Sequence, residues 1–149
     1  MSFNSIKIES RFGAEDPDAV DHAIRLSTAV MLVEVAQADF EFDQSERDAI
    51  AEVLRRTQLV STSEAEELLQ LAEAEVDAAV SLYDFIKVLN SNLTLEQKRS
   101  IIELLWEVAF ADGRLDKYED YSIRRLADLL NVPHMHFIQA KLKVQECNG

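Results

Sequence analysis

An internal repeat is the feature that most constrains the fold of this 149-residue chain. When the chain is laid over itself at an offset of 73 residues, residues 34–50 align with residues 107–123, and 8 of the 17 aligned positions are identical. In each copy, apolar residues at helical spacing lead into a short acidic turn, after which a second amphipathic segment begins. One such unit cannot bury both of its apolar faces alone. The repeat therefore predicts two related halves packed against each other.

Helical periodicity extends through most of the chain, because apolar residues recur at spacings of three and four and only three glycines and two prolines interrupt them. The prediction is an all-α fold, a compact bundle of about seven helices formed from two related helical halves. Two stretches have the form of a capping box, residues 63–66 and 94–97. The predicted helices begin near Asp16, Asp43, Ser61, Ser81, Thr94, Asp116 and His134.

The chain length suits one domain. We expect a single helical domain over residues 16–149, with the repeat spanning about 20–60 and 93–133. Residues 1–15 are expected to be a separate terminal segment, either a short helix or a flexible tail.

The charge balance restricts the partners, since 15 basic and 28 acidic residues give a formal net charge of −13. Such a surface repels phosphate backbones and anionic lipid headgroups, so we expect a protein partner and no nucleic acid. No apolar segment approaches the roughly 20 residues that span a bilayer, so we expect no direct membrane insertion. The sequence does not determine the oligomeric state. With a single cysteine, Cys147, and no signal-peptide pattern, a cytoplasmic location is expected.

The repeated turns carry carboxylates at their first, fifth and eighth positions, in a spacing that differs from that of an EF-hand. Hard divalent cations bind such oxygens: calcium takes six to eight of them, whereas magnesium takes fewer protein ligands and keeps several waters. The turns are therefore a candidate site for a divalent cation, calcium or magnesium first. The candidate ligands are Asp39, Asp43, Glu46, Asp112, Asp116 and Glu119.

Helix capping explains the same acids without a metal. Residues 43–46 and 116–119 also have the pattern of capping-box helix starts. Both roles are compatible, because a capping carboxylate has a second oxygen that can face outward. The spacing alone leaves the two interpretations open.

Glu34 and Glu107 occupy equivalent positions in two strongly apolar helices. They either face the acidic turns and support the metal ligands, or pair with an arginine of another helix such as Arg124 or Arg125. A buried carboxylate has to be paired or protonated, which favours the ion pair.

Residues 105–119, matched by residues 38–46, resemble the TerB-like family of tellurite-resistance proteins, and the resemblance extends from about residue 20 to 144. It implies a compact all-helical fold of two related halves, with acidic residues of the paired turns binding divalent metal. A similar domain begins a membrane-anchored DnaJ-type co-chaperone, which implies that the fold also serves as an interaction module. Phe40 stands where the family turn usually has glycine, so the first turn is expected to differ in shape.

Two functions from different classes follow. The first is a divalent-cation-binding domain that acts as an adaptor or stress-response protein, similar to tellurite-resistance proteins. The second is a metal-free acidic module that recruits a basic protein partner. A metal-dependent hydrolase ranks last, because the sequence has neither a nucleophile elbow nor a phosphate-binding glycine loop, and we assign no catalytic residue and no organic cofactor.

Overall fold

The structure, a computed structural model, describes residues 17–38, 44–58, 60–78, 82–111 and 117–148. Within these ranges the chain forms seven helices and no strand, which confirms the predicted all-α fold. The helices are α1 (Pro17–Ala36), α2 (Gln44–Thr57), α3 (Thr62–Asp77), α4 (Tyr83–Asn92), α5 (Leu95–Ala109), α6 (Lys117–Leu129) and α7 (His134–Asn148). The predicted terminal segment 1–15 and the predicted domain start at Asp16 lie outside the described residues. None of the described helices is both long enough and apolar enough to cross a membrane.

The helix boundaries repeat with the same spacing as the sequence. Ala36 ends α1 and Ala109 ends α5, while Gln44 begins α2 and Lys117 begins α6; both pairs are 73 residues apart. Helix α1 packs against α5, and each of these two helices also contacts α2 and α6. The predicted pair of related helical halves is therefore the central four-helix arrangement of the fold.

Helix α1 lies deepest in the bundle. All eight side chains from Leu26 to Val33 are buried, and α1 contacts α2, α3, α4, α5 and α6. Among them is Thr28, whose hydroxyl donates to the carbonyl of Ile24 at 2.8 Å, so that this buried polar group is satisfied within the helix. Helix α5 buries Trp106 completely.

Helix α3 begins at Thr62, close to the predicted start at Ser61, but its capping box lies two residues earlier than predicted. Ser61, not Ser63, is the N-cap: its Oγ accepts from the backbone N–H of Glu64 at 3.1 Å, and its own N–H donates to Glu64 Oε1 at 2.9 Å. Ser63 therefore lies inside the first turn. The predicted box of residues 94–97 is confirmed, with Thr94 and Gln97 in the reciprocal pair of hydrogen bonds.

The turn from α6 to α7 is closed by Asn131, which has a positive φ of 61°. Asparagine tolerates this left-handed conformation better than most residues. The N–H groups of Asn131 and Val132 donate to the carbonyls of Asp128 and Ala127, the pattern of a Schellman motif. The chain thus reverses, and α7 places Phe137 against Trp106 with ring centroids 5.3 Å apart.

Candidate functional site

Two of the six predicted metal ligands lie in the described part of the chain. Glu46 is the third residue of α2, and Glu119 is the third residue of α6. They are equivalent in the repeat, and each follows one of the two acidic turns. The other four predicted ligands, Asp39, Asp43, Asp112 and Asp116, lie outside the described residues, as does Phe40.

Both glutamates are buried. The exposed fraction is 4% for Glu46 and 2% for Glu119, whereas most residues around them in these first turns are exposed. The N-terminus of a helix carries partial positive charge, which stabilises a carboxylate there. A carboxylate removed from water also needs hydrogen bonds, a counter-charge or a metal ion.

The two capping boxes provide an internal comparison, because their glutamate and glutamine also stand at the third position of a helix. Glu64 in α3 and Gln97 in α5 are both exposed while they cap. Capping alone therefore does not require the side chain to be buried. The turn glutamates Glu46 and Glu119 share the position of capping residues but have a different environment.

Glu34 and Glu107 are tied to arginines of the opposite half of the repeat. Glu34 Oε2, on α1, lies 3.3 Å from Arg125 Nη2 on α6. On α5, the two carboxylate oxygens of Glu107 lie 3.0 and 2.9 Å from Arg56 Nη2 on α2. The ion pair that the sequence favours is confirmed for Glu34 and Arg125, and Glu107 pairs with an arginine that the sequence did not single out.

Glu34 and Glu107 each precede an acidic turn in the sequence. The ion pairs link each of them to a helix of the other half. Their side chains are about one-quarter to one-half exposed, so water screens each pair. The pairs therefore link helices of the two halves but are expected to contribute little to the stability of the fold.

The fit of a metal ion can be judged from the donor set. The described residues hold no group of three or more histidine, cysteine, aspartate or glutamate side chains placed to bind an ion. Glu46 and Glu119 supply carboxylate oxygens, the donor type that calcium and magnesium prefer. Both side chains are buried, so their donor type fits such an ion, but two carboxylates are fewer than the six to eight oxygen ligands that calcium takes.

A comparison with known protein families identifies the fold. The model of the family described as Tellurite resistance protein TerB matches residues 25–142, most of the chain. The chain belongs to the TerB family. The TerB match runs from the middle of α1 into α7 and includes both repeat copies, which confirms the resemblance found in residues 38–46 and 105–119. No curated protein and no solved structure matches this TerB chain significantly.

Two features of the site were not found from the sequence. Arg56 aligns with Leu129 in the repeat, so the alignment gave no sign that it would pair with Glu107. The burial of Glu46 and Glu119 was also unexpected, since acids in a first helical turn are commonly solvated. The one available signal was that both acids recur at the same repeat position.

Proposed function

We propose that this TerB-family chain is a divalent-cation-binding helical domain that works as an adaptor or stress-response protein. The observation that supports it best is the burial of Glu46 and Glu119, at equivalent places after the two acidic turns. The family description links such domains to tellurite resistance, which supports a role in a stress response. Calcium and magnesium are the first ions to test.

The residues proposed to hold the ion are Glu46 and Glu119, with Asp39, Asp43, Asp112 and Asp116 from the turns. A bound divalent cation would neutralise part of the negative charge that these side chains concentrate. The chain's contribution is to fix two carboxylates at helix starts and to tie the flanking helices through Glu34 and Glu107. No bond is made or broken in this function, which is binding.

Glutamine substitutions separate metal binding from capping. Gln97 shows that a glutamine at the third helical position can make the capping hydrogen bond in this chain. Glu46→Gln and Glu119→Gln should therefore keep the helix starts intact and remove only the charged ligand. Glu64→Gln, at the same position of α3 but exposed, is the matched control.

The test is thermal unfolding of chelator-treated protein with and without calcium or magnesium. A ligand at 100 times its Kd stabilises the native state by about 2.7 kcal/mol, which corresponds to a rise in Tm of roughly 5–10 °C. We expect this rise in the wild type and in Glu64→Gln, and its loss in the double variant Glu46→Gln/Glu119→Gln. Asp112→Asn with Asp116→Asn should also abolish it. A rise that survives in both double variants would remove these residues from the site.

A metal-free acidic interaction module is the second candidate, and α3 favours it. This helix carries six acidic residues and no basic one. Glu73 pairs with Arg47 of α2 and Glu64 caps the helix, whereas Glu66, Glu67 and Asp77 are exposed to solvent. A basic partner whose capture weakens with salt and is indifferent to chelator would support this function. Capture that requires calcium or magnesium would count against it.

A further inference from the structure

A cleft opens between the first half of α1 and the exposed side of α3. It has a volume of about 120 Å³, and its lining residues are His22, Arg25, Val60, Glu64, Glu67, Leu68 and Leu71. For comparison, a cavity of roughly 150 Å³ holds a benzene-sized group. The cleft therefore has room for about one aliphatic side chain.

The apolar part of the cleft is made by two leucines and a valine. Leu68 is 5% exposed and belongs to the core, Val60 is half-buried, and Leu71 is 47% exposed. A single exposed leucine is common on protein surfaces. Here it stands at the edge of an apolar opening, where a partner's side chain would cover it and Leu68 together.

The α3 wall of the cleft is anionic. Glu64, Glu67 and Leu71 share one face of α3, since they are separated by three and four residues. The pKa of Glu64 is lowered because its carboxylate accepts hydrogen bonds from Ser61, so it is charged at neutral pH. The side chain of Glu67 makes no hydrogen bond or ion pair with any other residue that the structure describes.

The opposite wall is cationic but partly compensated. Arg25 on α1 lies close enough to Glu64 to lower the pKa of that carboxyl further. Glu67 is consequently the acid of the cleft lining that is open to a new counter-charge, and Glu66 is exposed next to it on α3. The net charge of −13 disfavours a second copy of this chain as the occupant, since it would bring further acids to the rim.

We propose that this cleft docks a basic amphipathic helix of a partner protein. The helix inserts one aliphatic side chain between Val60, Leu68 and Leu71, and its lysine or arginine side chains lie against Glu67 and the exposed acids of α3. Helices that lay an apolar face into a groove between two helices are a common recognition mode. The proposal rests on the second function above, to which it adds a site and a partner chemistry.

The probe is a fluorescently labelled peptide with leucines at helical spacing and lysines on the flanking positions, titrated with the full chain and followed by anisotropy. A second peptide replaces the leucines by alanine at the same charge, and a third replaces the lysines by glutamate. We expect the leucine–lysine peptide to bind, the alanine peptide to bind about tenfold more weakly because its apolar contact is missing, and the glutamate peptide not to bind.

Two substitutions locate the binding surface. Leu71→Ser should weaken binding of the leucine–lysine peptide about tenfold, whereas Leu142→Ser, at a 52% exposed leucine of α7 outside the cleft, should not. Glu67→Gln should weaken it roughly two- to fourfold at low salt. Asp128→Asn removes the same charge at an exposed position of α6 and should leave the Kd unchanged. Circular dichroism and thermal melting check that each variant is folded. If Leu71→Ser does not fold, the comparison of Glu67→Gln with Asp128→Asn still tests the cleft.

The outcomes separate the cleft from the wider proposal. Equal affinities for Leu71→Ser, Glu67→Gln and their controls would overturn the cleft and leave a diffuse acidic surface as the binding site. Failure of every cationic peptide to bind at low salt would overturn the cleft and the interaction module together. A dimer in sedimentation velocity that dissociates in Leu71→Ser would assign the cleft to a second copy and overturn the proposed partner.

Discussion

Arg56 of α2 holds the carboxylate of Glu107 on α5 with one nitrogen, Nη2, that lies 3.0 and 2.9 Å from its two oxygens. A second ion pair joins the other two helices: Arg125 Nη2 of α6 lies 3.3 Å from Glu34 Oε2 on α1. Each glutamate therefore pairs with an arginine of the opposite half of the repeat. The ion pairs are thus reciprocal, even though the two arginines do not occupy equivalent positions.

A double-mutant cycle should measure a larger coupling for Glu107 with Arg56 than for Glu34 with Arg125. Both pairs are partly exposed, so each is expected to contribute about 0.2–1 kcal/mol to the free energy of unfolding. The pair of Glu107 with Arg56 is shorter and involves both carboxylate oxygens, so its coupling energy should lie at the upper end of this range. Urea unfolding of the single and double alanine variants gives the two coupling energies. Both should fall in about 1 M salt, and a coupling unaffected by salt would contradict the electrostatic account.

The two capping boxes should respond alike to loss of the N-cap hydroxyl. Ser61→Ala and Thr94→Ala should each lower the free energy of unfolding by about 1 kcal/mol, within the range of roughly 0.5–2 kcal/mol for such caps. Ser63→Ala is the matched control, because Ser63 lies inside the first turn of α3 and is exposed. Urea unfolding measures all three variants. A larger loss for Ser63→Ala than for Ser61→Ala would show that α3 starts two residues later.

Glu75 should make stability depend on pH. Its partly buried position raises the pKa of the carboxyl, because burial disfavours the charged form. The folded protein therefore binds this proton more tightly than the unfolded chain does, and the charged carboxylate destabilises the fold above the raised pKa. This destabilisation disappears as the pH falls below the ordinary glutamate value.

Glu75→Gln should consequently be more stable than the wild type at neutral pH, by a margin that shrinks as the pH is lowered. Urea unfolding between about pH 7 and about pH 4 measures the margin. Glu66→Gln, an exposed acid of the same helix, controls for the change in net charge. A margin equal to that of Glu66→Gln at every pH would contradict the assignment to burial.

The two halves of the repeat should tolerate the same core change equally. Ile50 of α2 and Ile123 of α6 are equivalent in the repeat, and both are fully buried. Ile50→Val and Ile123→Val should each lower the free energy of unfolding by about 0.5–1.5 kcal/mol. Ile138→Val, at a half-buried position of α7, should have a smaller effect. Losses of very different size at residues 50 and 123 would mean that the halves are packed differently.

Much of the fold could be predicted because the decisive information is local or repeated. The spacing of apolar residues located every described helix, and the offset of 73 residues located the equivalent ends of α1 and α5. The capping box of α3 was assigned to Ser63 and Glu66, whereas Ser61 and Glu64 satisfy the same local pattern. In the structure the earlier pair forms the box, and both of its hydrogen bonds satisfy backbone N–H groups at the start of the helix.

The site was less predictable because it depends on packing between distant segments. The repeat shows that Glu46 and Glu119 are equivalent, but not that they are buried, since Glu64 at the same helical position is exposed. Arg125 was a candidate partner on charge alone. Arg56 was not, because its reach to Glu107 follows from the contact between α2 and α5, which no local pattern records.

A calorimetric titration of chelator-treated protein with calcium, and separately with magnesium, tests the central claim most directly. The account predicts a saturable heat of binding for at least one ion with the wild type and with Glu64→Gln. It predicts no heat beyond dilution with Glu46→Gln/Glu119→Gln, whose folding is verified by its melting curve without metal. Dilution heat alone for both ions with the wild type, or an isotherm unchanged in the double variant, would contradict it.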